Sequence, residues 1–106
     1  SGKAEKKWQA ILKRLGVPNP AEWKLAMIEA ESLTDEALIR MGFGGESFGE
    51  RLKKITPGQL SCLDELLEAH QIRNNIVHDP DYRIDIETAS KTIRSYETAL
   101  RELEAL

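Results

Sequence analysis

The hexamer Arg73-Asn74-Asn75-Ile76-Val77-His78 gathers a guanidinium, two amides and an imidazole. These are large polar groups where an ordinary bundle helix would carry mixed surface charge, and they could do chemistry: a guanidinium can pair with an anion, and an imidazole can take up and release a proton near neutral pH. On a helix, Arg73 and His78 are separated by about 500° of rotation and roughly 7.5 Å of rise, so they do not share a face. Asn74 and His78, four residues apart, do share one. His70 continues the stripe one turn earlier, so a His70, Asn74, His78 row could line a groove. A metal site is not expected, because the two histidines stand about 12 Å apart in rise and no Cys or carboxylate completes a set at ligand spacing. Cys62, between Leu60 and Leu63, falls on an apolar face, where a thiol is packing material rather than a nucleophile.

Each of these residues also has a purely structural reading. His78 ends a helix and sits well against its dipole, with Asp79 beside it as a partner. Arg73 could bridge to Glu65, Glu68 or an acid on the last helix. Asn74 could be a buried amide satisfied by backbone, and His70 is read as structural before catalytic. Tyr82 and Arg83, in the loop beyond the motif, and Arg51 and Lys54, in a small basic patch upstream, are second-rank candidates for contacting a substrate.

The elements that must position these groups are helical. Trp8, Ile11, Leu12 and Leu15 recur at helical spacing up to a stop at Gly16 and Pro18. The other face of that segment carries Lys3, Lys6, Lys7, Lys13 and Arg14, read first as a solvated face. Asn19 as cap and Pro20 at the first helical position start a second helix, expected to run to about Ser32. Thr34-Asp35-Glu36 is expected to cap a short third one that Gly42 ends. The glycine-rich stretch 42–49 is a loop anchored by Phe43 and Phe48. It is not a phosphate cradle, since it has no Gly-Lys-Ser/Thr ending and no strand before it. A short helix over Glu50 to Ile55 follows, then a helix of some twenty residues from Thr56-Pro57 to His78. The chain ends in a helix capped by Asp85, with Ile86, Ala89, Ile93, Tyr96, Leu100 and Leu103 on its apolar face. The expected fold is all-α, a four- to five-helix up-down bundle with a short-helix and Gly-rich loop insertion.

Composition bounds the rest. A chain of 106 residues, 41% hydrophobic and 31% charged, supports one core and one domain over 1–106 and is neither disordered nor fibrous. Its longest apolar runs, such as Leu25-Ala26-Met27-Ile28, fall far short of the ~20 residues that span a bilayer. One cysteine permits no internal disulfide and fits a reducing compartment such as the cytoplasm. A net charge of −3 argues against broad adhesion to nucleic acid and leaves only local basic patches. Ser1-Gly2 reads as the scar of a protease cleavage, so the natural N-terminus is expected to lie elsewhere.

Arg73-Asn74-x-x-x-His78 near the end of a long helix, followed by a loop and another long helix, resembles the signature of the HEPN superfamily. The resemblance covers roughly Thr56 to Leu106. The segments Gly45-Glu46-Ser47-Phe48-Gly49-Glu50-Arg51-Leu52 and Ala69 to His78 also look like those of uncharacterised HEPN-like proteins, some with a membrane helix ahead of this region. The resemblance implies a bundle that dimerises so that Arg and His of both chains meet in one cleft, and that cuts single-stranded RNA without metal or cofactor. The 2′-hydroxyl is the nucleophile and a 2′,3′-cyclic phosphate the product. In that scheme His78 moves protons, Arg73 holds the phosphate, and Asn74 orients His78 or bonds the phosphate. Such a protein would act as a toxin or defence effector held in check by an antitoxin or other regulator. Family members paired with a nucleotidyltransferase antitoxin carry a Tyr two residues after the His, where this chain has Pro80 and its Tyr stands at position 82. The reading of a different class is a non-catalytic helical module. It would dimerise, or bind a nucleotide or RNA through Arg73 and His78, as the cytoplasmic part of a membrane-anchored protein.

Overall fold

Two helical hairpins pack across one another, as a computed structural model of the chain describes for residues 2–106. The first comprises α1 (Gly2–Leu15) and α2 (Pro20–Arg40), and the second α4 (Leu63–His78) and α5 (Ile86–Glu102), with the short α3 (Phe48–Lys53) in the connection between them. The fold is an all-α bundle, and no strand occurs among the described residues. Ala4, Trp8 and Ile11 of α1 are buried against α2. The antiparallel register is marked by Arg14 bonding Glu29 at 2.8 Å and Glu22 at 3.0 Å, while Lys7 meets Glu36 at 3.6 Å. The core runs between α2 and α5, where Met27, Ala30, Leu38, Ile93, Tyr96 and Leu100 are at most 1% exposed.

Several boundaries follow local chemistry. The Asn19 side chain accepts from the Ala21 N–H, and Pro20 opens α2. Asp85 accepts from the Thr88 N–H at 2.7 Å and opens α5. At the end of α2, Gly42 takes a left-handed φ of +92°, and the Gly42 and Phe43 N–H groups close back on the Ile39 and Leu38 carbonyls, a Schellman pattern.

Elsewhere burial overrides the local signals. Thr34 does not cap a new helix. It is fully buried within α2, its hydroxyl donates to the Ala30 carbonyl at 2.8 Å, and the apolar stripe continues through Leu33, Ala37 and Leu38. Thr56-Pro57 opens only a turn, closed when Gln59 Oε1 accepts from the Thr56 N–H. The Ser61 N–H and hydroxyl, both at 2.7 Å from the Glu102 carboxylate, tie this turn to the end of α5, so α4 starts at Leu63. Cys62 therefore precedes α4 rather than lying within a helix, though it is buried as expected. Ile86, read as part of the apolar face, is 41% exposed. Of the loop aromatics, Phe48 is buried and Phe43 half-buried against the core.

The 42–49 loop is built rather than slack. Ser47 Oγ accepts from the Glu50 N–H while the Glu50 carboxylate accepts from the Glu46 N–H, a reciprocal cap that starts α3 two residues before the expected Glu50. Arg51 is 8% exposed. Its guanidinium grips both Asp35 oxygens, at 2.6 and 2.9 Å, and the Gly45 carbonyl. Gly45 has φ +149°, and a Cβ there would lie 2.9 Å from the Arg51 backbone nitrogen. Gly45→Ala is expected to destabilise the fold by about 1–3 kcal/mol in urea unfolding. Gly44→Ala, which meets open space, should stay within about 0.5 kcal/mol of the parent.

Candidate functional site

Along α4, Leu63, Leu66, Ala69 and Ile76 face the core, which turns His70, Arg73 and Asn74 toward α2 and α3. Opposite them stands Glu31 of α2, a carboxylate only 4% exposed in the middle of the apolar stripe. A carboxylate in such a place is costly unless several donors meet it. Three side chains do: the Tyr96 hydroxyl donates to Oε1 at 2.8 Å, His70 Nδ1 lies 2.9 Å from the same oxygen, and Arg73 Nε lies 3.2 Å from Oε2. The Arg73 contact is an ion pair only, because its N–H is not aimed for a hydrogen bond.

Asn74 closes the arrangement into a ring, with Oδ1 3.4 Å from Arg73 Nη1 and Nδ2 3.3 Å from His70 Nε2. The polarity of this ring is determined by its one obligate donor. Arginine only donates, so the Asn74 amide must turn its oxygen to Arg73 and its NH2 to His70. His70 Nε2 is therefore an acceptor, and the ring proton sits on Nδ1, facing Glu31. The bonds on the buried side are short and those on the open side long, so the ring is held from behind.

The open side faces a cleft of about 470 Å³ between α2, the loop into α3, and α4. The Phe48 ring packs on His70 with centroids 5.3 Å apart. A Cβ on Gly49 would come within 3.0 Å of His70 Nε2, so glycine keeps that nitrogen clear. The cleft is also lined by Ser32, Ser47, Glu46 and the Asp35–Arg51 pair. A second groove of about 320 Å³, between α1 and α2, is mostly apolar.

The sequence candidates divide accordingly. Arg73, Asn74 and His70 come together. His78 does not join them: it is exposed at the end of α4, and no described residue bonds to it. Asn74 turns to His70 rather than to His78. Asp79 takes the Asp81 N–H instead of pairing with His78. Arg73 meets neither Glu65, Glu68 nor α5, but Glu31. Arg51 lines the cleft with its guanidinium already engaged by Asp35, which holds it firmly cationic. Lys54 caps α3 outside the cleft, Tyr82 packs half-buried on the core, and Arg83 is exposed; none of the three lines the cleft. Sequence reasoning missed Glu31 and Gly49. The signal for Glu31 was present, since it lies four residues after Met27 and three before Thr34 on the buried stripe.

Among the described residues no three His, Cys, Asp or Glu side chains gather as a metal site, and no helix is long and apolar enough to cross a membrane. No known protein family, curated protein or solved structure matches this chain.

Two consequences are measurable. Burial, reinforced by Glu31, pushes the Tyr96 phenol well above its ordinary range. The unfolded chain ionises this group near pH 10 while the folded chain does not, so its contribution to stability is complete below about pH 10 and lost as pH rises beyond it. Tyr96→Phe should lower stability by about 1–3 kcal/mol at neutral pH and should lack that part of the alkaline loss. Burial also pushes the Cys62 thiol up to about 11. A thiol reagent at pH 8 should therefore label the folded chain more slowly than free cysteine; labelling at or above that rate would contradict the packing role.

Proposed function

We propose that this chain is a HEPN-like endoribonuclease that cleaves single-stranded RNA without a metal, working as a cytoplasmic homodimer in a toxin or defence role. The observation that carries the proposal is the bracing of Arg73. Its Nε pairs with Glu31 by charge alone at 3.2 Å and its Nη1 bonds loosely to Asn74, while Nη2 bonds to no described residue, which leaves the fork available at the wall of an open polar cleft. A guanidinium fixed from behind meets developing charge on a phosphorane with little reorganisation. RNA supplies its own nucleophile, so the protein has only to move two protons and steady the phosphorus centre. The 2′-oxygen attacks phosphorus, the bond to the 5′-oxygen breaks, and the products end in a 2′,3′-cyclic phosphate and a 5′-hydroxyl. The exposed position of His78 at the end of α4 suits a group that acts on a neighbouring cleft, with the partner subunit's His78 returning the favour across a two-fold axis.

One observation favours the other reading. Glu31, Asp35 and Glu46 face Arg51 and Arg73 in the cleft, so its carboxylates outnumber its guanidiniums. A non-catalytic dimerisation module, which has no phosphate to attract, would have the same balance, with regulator binding or membrane tethering as its context.

Cleavage of a fluorophore-quenched single-stranded RNA in excess EDTA separates the two. The wild-type chain is expected to cut, and Arg73→Ala or His78→Ala to lose about 10²-fold or more, with circular dichroism and dimer mass unchanged. Cleavage retained by both variants, or no cleavage by the wild-type dimer, contradicts the ribonuclease reading.

A further inference from the structure

We propose that His70, rather than serving only as a structural link, contacts the 2′-hydroxyl beside the scissile phosphodiester and is the proton acceptor that each chain contributes to its own cleft. The inference rests on the reading of this cleft as the RNA site and adds a catalytic group to it. Three observations on different elements carry it. Glu31, itself held by Tyr96 of α5, accepts the hydrogen bond of Nδ1–H, with Nδ1 2.9 Å from Oε1, and so leaves Nε2 as the free basic nitrogen. Arg73 orients Asn74 so that Nε2 receives only a long 3.3 Å bond, one that an incoming hydroxyl can replace. Gly49 of α3 withholds the side chain that would otherwise stand 3.0 Å from Nε2.

When Nε2 takes the proton of the 2′-hydroxyl, the Asn74 oxygen stays on Arg73 Nη1 and the unbonded Nη2 meets the phosphorane as negative charge develops. The balance is complete: the 2′-oxygen loses its proton to Nε2, the O2′–P bond forms, the P–O5′ bond breaks, and the 5′-oxygen is protonated by His78 or water. The charged and titratable groups around His70 are Glu31 and the Asp35–Arg51 pair from α2 and α3, Arg73 on its own helix, Glu46 on the loop, and Tyr96 behind Glu31. Glu31 is a positioning residue in this scheme, acting through the ring nitrogen it holds.

The contact and the proton transfer are tested separately. With imidazole-labelled wild-type dimer, a single-stranded DNA oligonucleotide ending in one ribonucleoside 3′-phosphate, which keeps a 2′-hydroxyl beside a phosphate but has no 5′-oxygen leaving group to lose, should shift the His70 Nε2 resonance in a saturable manner, and Arg73→Gln should abolish the shift. An unmoved His70 resonance at saturating DNA overturns the contact, whether or not RNA is cut. For proton transfer, His70→Asn places an amide N–H where Nδ1 stood, preserving the bond to Glu31 while removing Nε2. It should lower kcat on RNA by about 10²-fold or more, leave KM within about threefold, and remove the acid limb of the pH–rate profile. Glu31→Gln should displace that limb rather than remove it. A kcat within about threefold of wild type, or an unchanged acid limb in His70→Asn, overturns the assignment. Inactive wild-type protein overturns both the ribonuclease reading and the proton transfer; the DNA titration then decides the contact by itself.

Discussion

A single buried carboxylate organises this small bundle. Glu31 sits on the core face of α2 at 4% exposure, between residues that pack against α5. Leaving an ion there unpaired would cost several kcal/mol, a large fraction of what a domain of this size has to spare. The remedy draws on both helices of the opposite hairpin, with Tyr96 from α5 and His70 and Arg73 from α4. The apolar residues of α4 set its rotation about its axis, and this one acid then holds His70 and Arg73 at the wall of the cleft. A well-packed apolar cluster of the same volume would hold the fold about as well, so what the charged cluster adds is the positions of His70 and Arg73.

The far wall of the cleft obeys the same logic at a smaller scale. Arg51 is nearly buried, and both Asp35 oxygens and the Gly45 carbonyl satisfy it, which pins the glycine-rich loop to α2. The loop can approach because Gly45 has no Cβ to meet the Arg51 backbone, and Gly49 has none to cover His70. The two glycines serve opposite ends: one permits contact, the other preserves space.

Legibility in the sequence tracked the range of the determining interaction. Asn19-Pro20, Gly42 and Asp85 marked helix ends correctly because each acts on backbone groups within a few residues. Thr34 and Thr56-Pro57 carried equally good local signals that tertiary contacts overruled, burial of the α2 stripe in one case and the Ser61 to Glu102 bonds in the other. The Ser47 and Glu50 cap is written in the sequence as an ordinary local signal. At the site, Arg73, Asn74 and His70 are identifiable from type and spacing on one helix. The position of Glu31 on the buried stripe is legible too, but its partners are not, because they exist only once three helices meet. That same partner redirected Arg73 away from Glu65 and Glu68 and drew His70 into the cleft, leaving His78 outside it.

Glu31 and Arg73 together dictate which nitrogen of His70 carries the proton. The nitrogen-15 spectrum of the wild-type imidazole rings at neutral pH reads this directly. The ring described above predicts that His70 is held as one tautomer, protonated at Nδ1 and unprotonated at Nε2. A proton resident on Nε2, or rapid averaging between the two nitrogens, would contradict it.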